Sequence, residues 1–391
     1  MKNKMSKLEE LINKYCPDGV EYVSLGEIAT DIFRGSGIKR EQVTSEGIPC
    51  VRYGEIYTTY NVWFEECISH TELSKIDSPK FFEYGDILFA ITGEKVEEIA
   101  KSCAYVGHDK CLAGGDIVVL KHKQNPKYLS YALSTEFAQK QKSKGKVKSK
   151  VVHSSVPAIK EIIIPVPPLP VQEEIVKILD KFTELEAELE AELVMRKQQY
   201  EYYRDKMLSL EDYEGEIAEQ PVSVFVNKVF SGNNKKRLVE GNYNVYGSTG
   251  IISKTNTPVY HKRQILIARV GANAGYVQIA DGDYDVSDNT LIVDVGDNID
   301  FLYLYYVLFN IKLNKFAKGG GQPLVTASEI KDIIIKVPKD IIKQKRMAEI
   351  LNKFTILTED ISEGLPAEIK MRHQQYEYYR DKLLSFKEMN D

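Results

Sequence analysis

These 391 residues contain no C-x-x-C, no H-E-x-x-H and no unbroken run of 18 apolar residues. The first two absences remove thiol-redox and common zinc motifs, and the third removes a membrane-spanning helix. The five cysteines, Cys16, Cys50, Cys67, Cys103 and Cys111, are odd in number and confined to the first third. They fit a reduced, cytoplasmic chain, not a disulfide framework. Met1–Tyr15 lacks the apolar core of a secretory signal and reads as a short amphipathic helix through Leu8, Leu11, Ile12 and Tyr15. Catalytic motifs are missing too. Neither N-P-P-F/Y nor D-P-P-Y is present for amino methylation, nor G-x-x-x-x-G-K-S/T for nucleotide hydrolysis. Asp86 and Glu94 flank a strand–turn, but no E-x-K follows to make a nuclease centre.

Bulk positive charge is also lacking. The net charge is −5, which excludes a histone-like protein that coats nucleic acid. With 43% hydrophobic and 28% charged residues, the chain has the balance of an ordinary globular protein of two or three domains.

What is present is an internal repeat. QQYEYYRDK occurs at Gln198–Lys206 and again at Gln374–Lys382. Upstream, EEIVKILDKFTEL from Glu173 matches KRMAEILNKFTIL from Lys345, and IKEIIIPVP from Ile159 matches IKDIIIKVP from Ile330. Fainter echoes pair Gly85–Gly93 with Arg263–Gly271, each an apolar run ending in glycine, and Val51–Gly54 with Val245–Gly247. The plan is globule, helix, globule, helix: a duplication, since a solenoid needs at least three units.

After Pro165–Pro170, apolar residues recur at Ile175, Ile178, Phe182, Leu185, Leu189 and Leu193, and again at Tyr200, Tyr203, Met207 and Leu210. Steps of three and four predict a helix of roughly 40 residues, ~60 Å long. The second copy carries four extra residues, close to one turn, together with Gly364 and Pro366. Proline clashes with the preceding turn, so a kink or break is expected near Gly364–Pro366. The expected fold class is mixed α/β. Two α/β globules are separated by a pair of long antiparallel helices forming a coiled coil with pseudo-two-fold symmetry. The expected divisions are 1–168 (helix and first globule), 169–212 (central helix), 213–340 (second globule) and 341–391 (C-terminal helix). Phe182, Leu189, Tyr200, Tyr203, Phe354, Ile361, Tyr376 and Tyr379 are the expected helix-pair interface.

CPDGVEYVSLGEI (Cys16–Ile28), IPCVRYGEIYTTY (Ile48–Tyr60), IIIPVPPLPVQEEIVKILDKF (Ile162–Phe182) and the doubled QQYEYYRDK resemble the specificity subunit of type I restriction–modification systems. The resemblance covers essentially the whole chain. It implies that each globule is a target recognition domain reading half of a bipartite site in double-stranded DNA. It further implies that the helices dock two methyltransferase (modification) subunits, which carry S-adenosylmethionine, and that motor–nuclease (restriction) subunits join them. The chain itself would be non-catalytic, bind no cofactor or metal, and have no membrane partner. Two alternatives stand beside this reading: a stand-alone DNA methyltransferase or nuclease, and a coiled-coil scaffold without nucleic acid.

Phosphate contacts call for lysine and arginine, and base edges call for bidentate donors or amides. Lysines alternate from Lys140 to Lys150, making a basic loop of Lys144, Lys146, Lys148 and Lys150 around Gly145. The second half has Lys312, Lys315 and Lys318 followed by Gly319-Gly320-Gly321-Gln322, so Lys318 and Gln322 join the candidates. Lys235, Lys236 and Arg237 are the counterpart of Arg34, Lys39 and Arg40. Candidate base readers are Arg52 and Tyr53 in the first half, and Arg269 and Asn273 in the second. Lys95 is in register with Asn273, Tyr57 is a candidate stacking residue beside Tyr53 and Tyr60, and Tyr246 is a further candidate DNA contact. Asp281–Asp288 imitates the start of a calcium loop, but Val286 replaces the needed glycine and Ile292 the terminal glutamate, so a solvated hairpin is expected. The acidity is local. Glu173–Glu192 carries a net −6, leaving the remainder of the chain at +1.

Overall fold

The computed structural model describes residues 5–143, 146–148, 151–235, 238–319, 323–360 and 362–389. The chain divides into two compact units, one comprising 1–188 with 370–391 and the other 189–369.

In the first unit, the central sheet runs in the order Ala29–Arg34, Ile117–His122, Ile87–Ala90, Ser102–Tyr105, Trp63–Phe64. Ile87–Ala90 and Ser102–Tyr105 are buried at every position, the first as its short unbroken apolar run demands. A second sheet sets Ile48–Val51 parallel to Cys111–Ala113, and Tyr22–Ser24 pairs with Ile163–Pro165. The helix Pro126–Ser134 is capped by Asn125, with proline at its first turn, and buries Tyr128 and Tyr131.

Among the described residues, the second unit repeats this plan with fewer strands in both sheets. Its sheet runs Val226–Ser231, Thr290–Val295, Gln264–Ala268, Val277–Ala280. Tyr243–Gly247 lies parallel to Tyr284–Val286, and Ile217–Pro221 pairs with Ile334–Pro338. Phe301–Ile311, capped by Asp300, matches the helix Pro126–Ser134. One close approach is shared. A Cβ on Gly35 would lie 2.3 Å from the Gly114 carbonyl oxygen, and one on Gly232 would lie 2.3 Å from that of Val286. Only glycine lets the backbone cross there in each unit.

We label four helices: α1 (Lys7–Tyr15), α2 (Leu169–Ser209), α3 (Ile341–Glu359) and α4 (Leu365–Leu383). In the first unit, Phe182 of α2 stacks on Tyr379 of α4 at 5.5 Å and Glu186 meets His373 at 2.8 Å, so these segments run in opposite directions. In the second unit, Tyr200 and Tyr203 of α2 stack on Phe354 of α3 at 6.3 and 6.4 Å. Tyr376 instead packs its ring against Tyr131, 6.4 Å away, on the globule. Leu189 is half-buried, and Ile361 lies outside the described residues.

The span 341–391 is not one helix. It breaks between Glu359 and Leu365, and Asp360 accepts from the backbone of Ser362 and Glu363 there. A Cβ on Gly364 would lie 2.2 Å from the Ile356 carbonyl oxygen. The last turn can therefore fold back on itself only through glycine, and Pro366 starts the next helix.

The segment after α1 meets the segment after α4 within the first unit. Val20 donates to the Lys387 carbonyl at 2.9 Å, and Met389 donates to that of Val20 at 3.1 Å. In the second unit a continuous segment, 210–216, leads from α2 into the strand Ile217–Pro221.

Candidate nucleic-acid interface

The matched strands end in matched turns. Ile117 donates to the Gly114 carbonyl and Thr290 to that of Ser287, both at 3.1 Å. Each turn carries an arginine, drawn from a different strand. In the first unit Arg34 donates to the Gly115 carbonyl and pairs with Asp116 at 2.6 Å. In the second, Arg269 donates to the equivalent carbonyl, that of Asp288, at 3.4 Å. Arg269 stands where the first unit has Ile91, since both backbone amides donate across the same strand pair.

A cleft of about 520 Å³ beside the first turn gathers Arg40, Arg52, Tyr53 and Asp116. Arg52 is held there by Glu55 at 3.1 Å, and the buried Glu55 carboxylate also accepts from Ser69 at 2.7 Å. The guanidinium is thus pointed by a buried acid while remaining one-third exposed. Lys39 is exposed, its backbone N–H bound to Gln42 at 2.7 Å. Tyr57 is half-buried with its hydroxyl 3.3 Å from the Ala90 carbonyl, and burial pushes its phenol up to about 12. In the second unit a cleft of about 620 Å³ includes Asn233, Asn234, Lys235 and Asp285. Lys236 and Arg237 lie outside the described residues.

The faint sequence echo at Val51–Gly54 is out of register. Val51 and Tyr246 make the same backbone contact, with Gly114 and Ser287 respectively, so Arg52 matches Gly247 and Tyr53 has no equivalent in Tyr246. Tyr246 packs edge-on against Tyr284 at 5.5 Å. The strand echo does hold. Ala90 and Ala268 each receive the backbone amide of a left-handed residue, Ala100 or Gly275, and the loop so closed, nine residues in the first unit and six in the second, carries Lys95 or Asn273. Both are exposed, and Lys95 is paired with Glu98 at 2.8 Å, which raises its pKa.

Two strands lie within and beside the basic stretch. Lys146–Lys148 pairs with Val151–His153, which continues onto Thr92–Gly93. The second unit puts a loop in the same place, with Lys318 bridging Leu324 and Leu324 bridging Val270. Lys318 is exposed and paired with Glu329 at 2.8 Å, and with the Thr326 cap this pair holds the Glu329 carboxyl down to about 2. Lys144, Lys150 and Gln322 lie outside the described residues. The alternating lysines are not all of one kind. Lys140 and Lys142 belong to the helix Glu136–Lys142. Lys142 is buried, donates to Ser102 Oγ at 3.0 Å, and is driven down to about 7 by desolvation. Nothing in the lysine spacing distinguishes it.

Asp283 and Asp285 of the Asp281–Asp288 segment are engaged within the fold. Asp283 meets His261 at 2.7 Å, Asp285 accepts from Asn234 at 2.6 Å, and Tyr284–Val286 is a strand. Among the described residues no group of three or more His, Cys, Asp or Glu side chains could hold a metal.

The family model described as the type I restriction modification DNA specificity domain matches twice, over 17–195 and 216–371. The chain belongs to the type I DNA specificity family. Its relatives include the specificity subunit of the Escherichia coli type I restriction enzyme EcoR124I/EcoR124II, 35% identical over 263 residues, 58% of this chain and 63% of that one. A Mycoplasma pneumoniae chain named as a type I specificity subunit is 31% identical over 301 residues, 70% of this chain and 85% of that one. The crystal structure of a type I system S subunit from M. genitalium superposes with a TM-score of 0.57 at 16% identity, covering 94% of this chain and 96% of that one. A chain from a study of complex assembly and conformational transition of the type I system gives 0.59 at 16% identity, covering 95% and 98%. Both likenesses are of fold. Family membership also accounts for the doubled match: each specificity domain spans one globule and helical sequence after it. Among the described residues no helix is long and apolar enough to cross a membrane.

Proposed function

We propose that the chain is the sequence-reading subunit of a type I restriction–modification complex, each unit reading one half of a bipartite duplex site. The duplicated turn carries this reading, because two copies of one sheet plan present an arginine at the same carbonyl from different strands. A shared scaffold with altered donors is what two different half-sites require. The strand Lys146–Lys148 and the loop at Lys318–Leu324 supply phosphate contacts that set register. The repeated faces of α2 and α4 dock two methyltransferase subunits, which hold S-adenosylmethionine. Motor–nuclease subunits complete the complex, and this chain has no catalysis or cofactor of its own.

The test is labelled-methyl transfer to duplex DNA. The reading expects none from the chain alone, and site-restricted adenine methylation from methyltransferase subunits only in its company. Equal methylation of all adenines by the complex would contradict it. Residues added to α2 between Ala187 and Leu193 should change half-site spacing and leave the half-sites themselves unchanged.

A further inference from the structure

Helix α1 belongs to the first unit and has no counterpart among the described residues of the second. It opens with a capping box between Ser6 and Glu9 and pairs Lys7 with Glu174 of α2 at 2.6 Å. Leu8 is buried in one cluster with Val171 and Ile175 of α2, and Leu11 and Ile12 pack against that cluster, as do Leu383 and Phe386. In the second unit, the seven residues 210–216 joining α2 to the strand Ile217–Pro221 leave no room for an equivalent nine-residue helix.

The repeat names the residues at this face, of which Leu210 alone is buried. Ile175, Ile178, Leu383 and Phe386 match Met347, Ile350, Met207 and Leu210. With Tyr203, these four line an open groove of about 410 Å³. Ile175 is fully buried under the first unit's covering, whereas Met347 is half-buried and Ile350 is 43% exposed. The charges have also changed. Arg346 replaces Glu174, and Lys343 replaces Val171. Both cations line the groove, and neither has an ion-pair partner among the described residues, whereas Lys206 on the rim is already paired with Asp212 at 2.9 Å.

We propose that this groove docks an amphipathic helix of a partner protein, with a carboxylate where α1 carries Lys7. The first unit provides the template, since an apolar stripe at three- and four-residue spacing lies across the same two helix segments. The reversed charge selects the occupant. A second copy of α1 in this pose would set Lys7 against Arg346, while a helix with an acid there gains a pair. The inference is independent of DNA reading.

The test uses the full chain and helix-stapled peptides of the sequence Met5–Cys16, one native and one with Lys7→Glu, followed by fluorescence anisotropy. The Lys7→Glu peptide should bind about fivefold more tightly than the native one, the difference between attraction and repulsion at an exposed site. Arg346→Glu in the chain should reverse that preference, and Ile350→Glu, at an exposed position, should abolish binding with an unchanged melting curve. Equal binding of both peptides, binding indifferent to Ile350→Glu, or no saturable binding of either peptide would overturn the proposal. None of these outcomes bears on site-specific methylation.

Discussion

Gln172 and Gln344 occupy equivalent places in the two units and make the same two hydrogen bonds. The amide of Gln172 donates to the Pro167 carbonyl at 2.7 Å and accepts from the Asn125 backbone at 3.0 Å. That of Gln344 donates to the Pro338 carbonyl at 2.7 Å and accepts from the Asp300 backbone at 2.7 Å. Each is buried and ties the start of a long helix to the N-cap of the helix packed on it. Replacing either with alanine strands a buried carbonyl and a half-buried N–H. We expect about 1–3 kcal/mol of lost stability for each, read as a lower denaturant midpoint. Tyr202→Ala, at a mostly exposed site of α2, should change it by less than about 0.5 kcal/mol.

Reversing charge in the strand Lys146–Lys148 separates phosphate contact from solvation. Lys146→Glu with Lys148→Glu should weaken binding of the complex to duplex DNA for every sequence alike. It should also lower the slope of log affinity against log salt by about 2. An unchanged slope would mean that these lysines do not touch phosphate.

Arg52 should act on sequence. Arg52→Ala should cost about 1–3 kcal/mol on the cognate site and relax the preference at one base pair of one half-site, leaving the other half intact. Competition binding with single-base variants of the site reads this directly. Glu55→Gln should give a weaker form of the same defect, because Glu55 only holds the guanidinium in place.

Lys142 gives the first unit a pH dependence of known sign. Folding lowers its pKa to about 7, so between about 7 and the ordinary lysine value the unfolded chain holds the extra proton. Stability from this group is therefore fully present above the unfolded value and is lost as pH falls through about 7. The buried thiols Cys50 and Cys103, raised to about 12, act in the opposite direction. The comparison that isolates Lys142 is with Lys142→Met: the difference in denaturation midpoint between variant and parent should shrink steadily from pH 7 to pH 9.5.

Periodicity and repetition made much of the architecture legible. The long helix, its break at Gly364, the strand echo ending at Gly93 and Gly271, and the matched basic loops follow from local rules that each copy obeys. The less legible features depend on long-range pairing. Val51 matches Tyr246 only through the parallel strand each one meets, which no spacing of residues reveals. Arg34 and Arg269 reach equivalent turns, one in each unit, from different strands, and spacing hides this for the same reason. Lys142 looked like its neighbours because a charge in an alternating run carries no sign of burial. The glutamine pair lay one residue upstream of the matched helical blocks, within reach of a longer alignment.

The central claim is one half-site per unit, and grafting tests it most directly. Leu25–Glu161 should replace Val222–Asp332 in the chain, since both segments lie between equivalent paired strands. Methylome sequencing of cells carrying the partner subunits with each chain then reads the site. The account predicts that the first half-site is kept and that the second is replaced by a copy of the first in inverted orientation. Methylation at the original site, or a change in the first half-site, would contradict it.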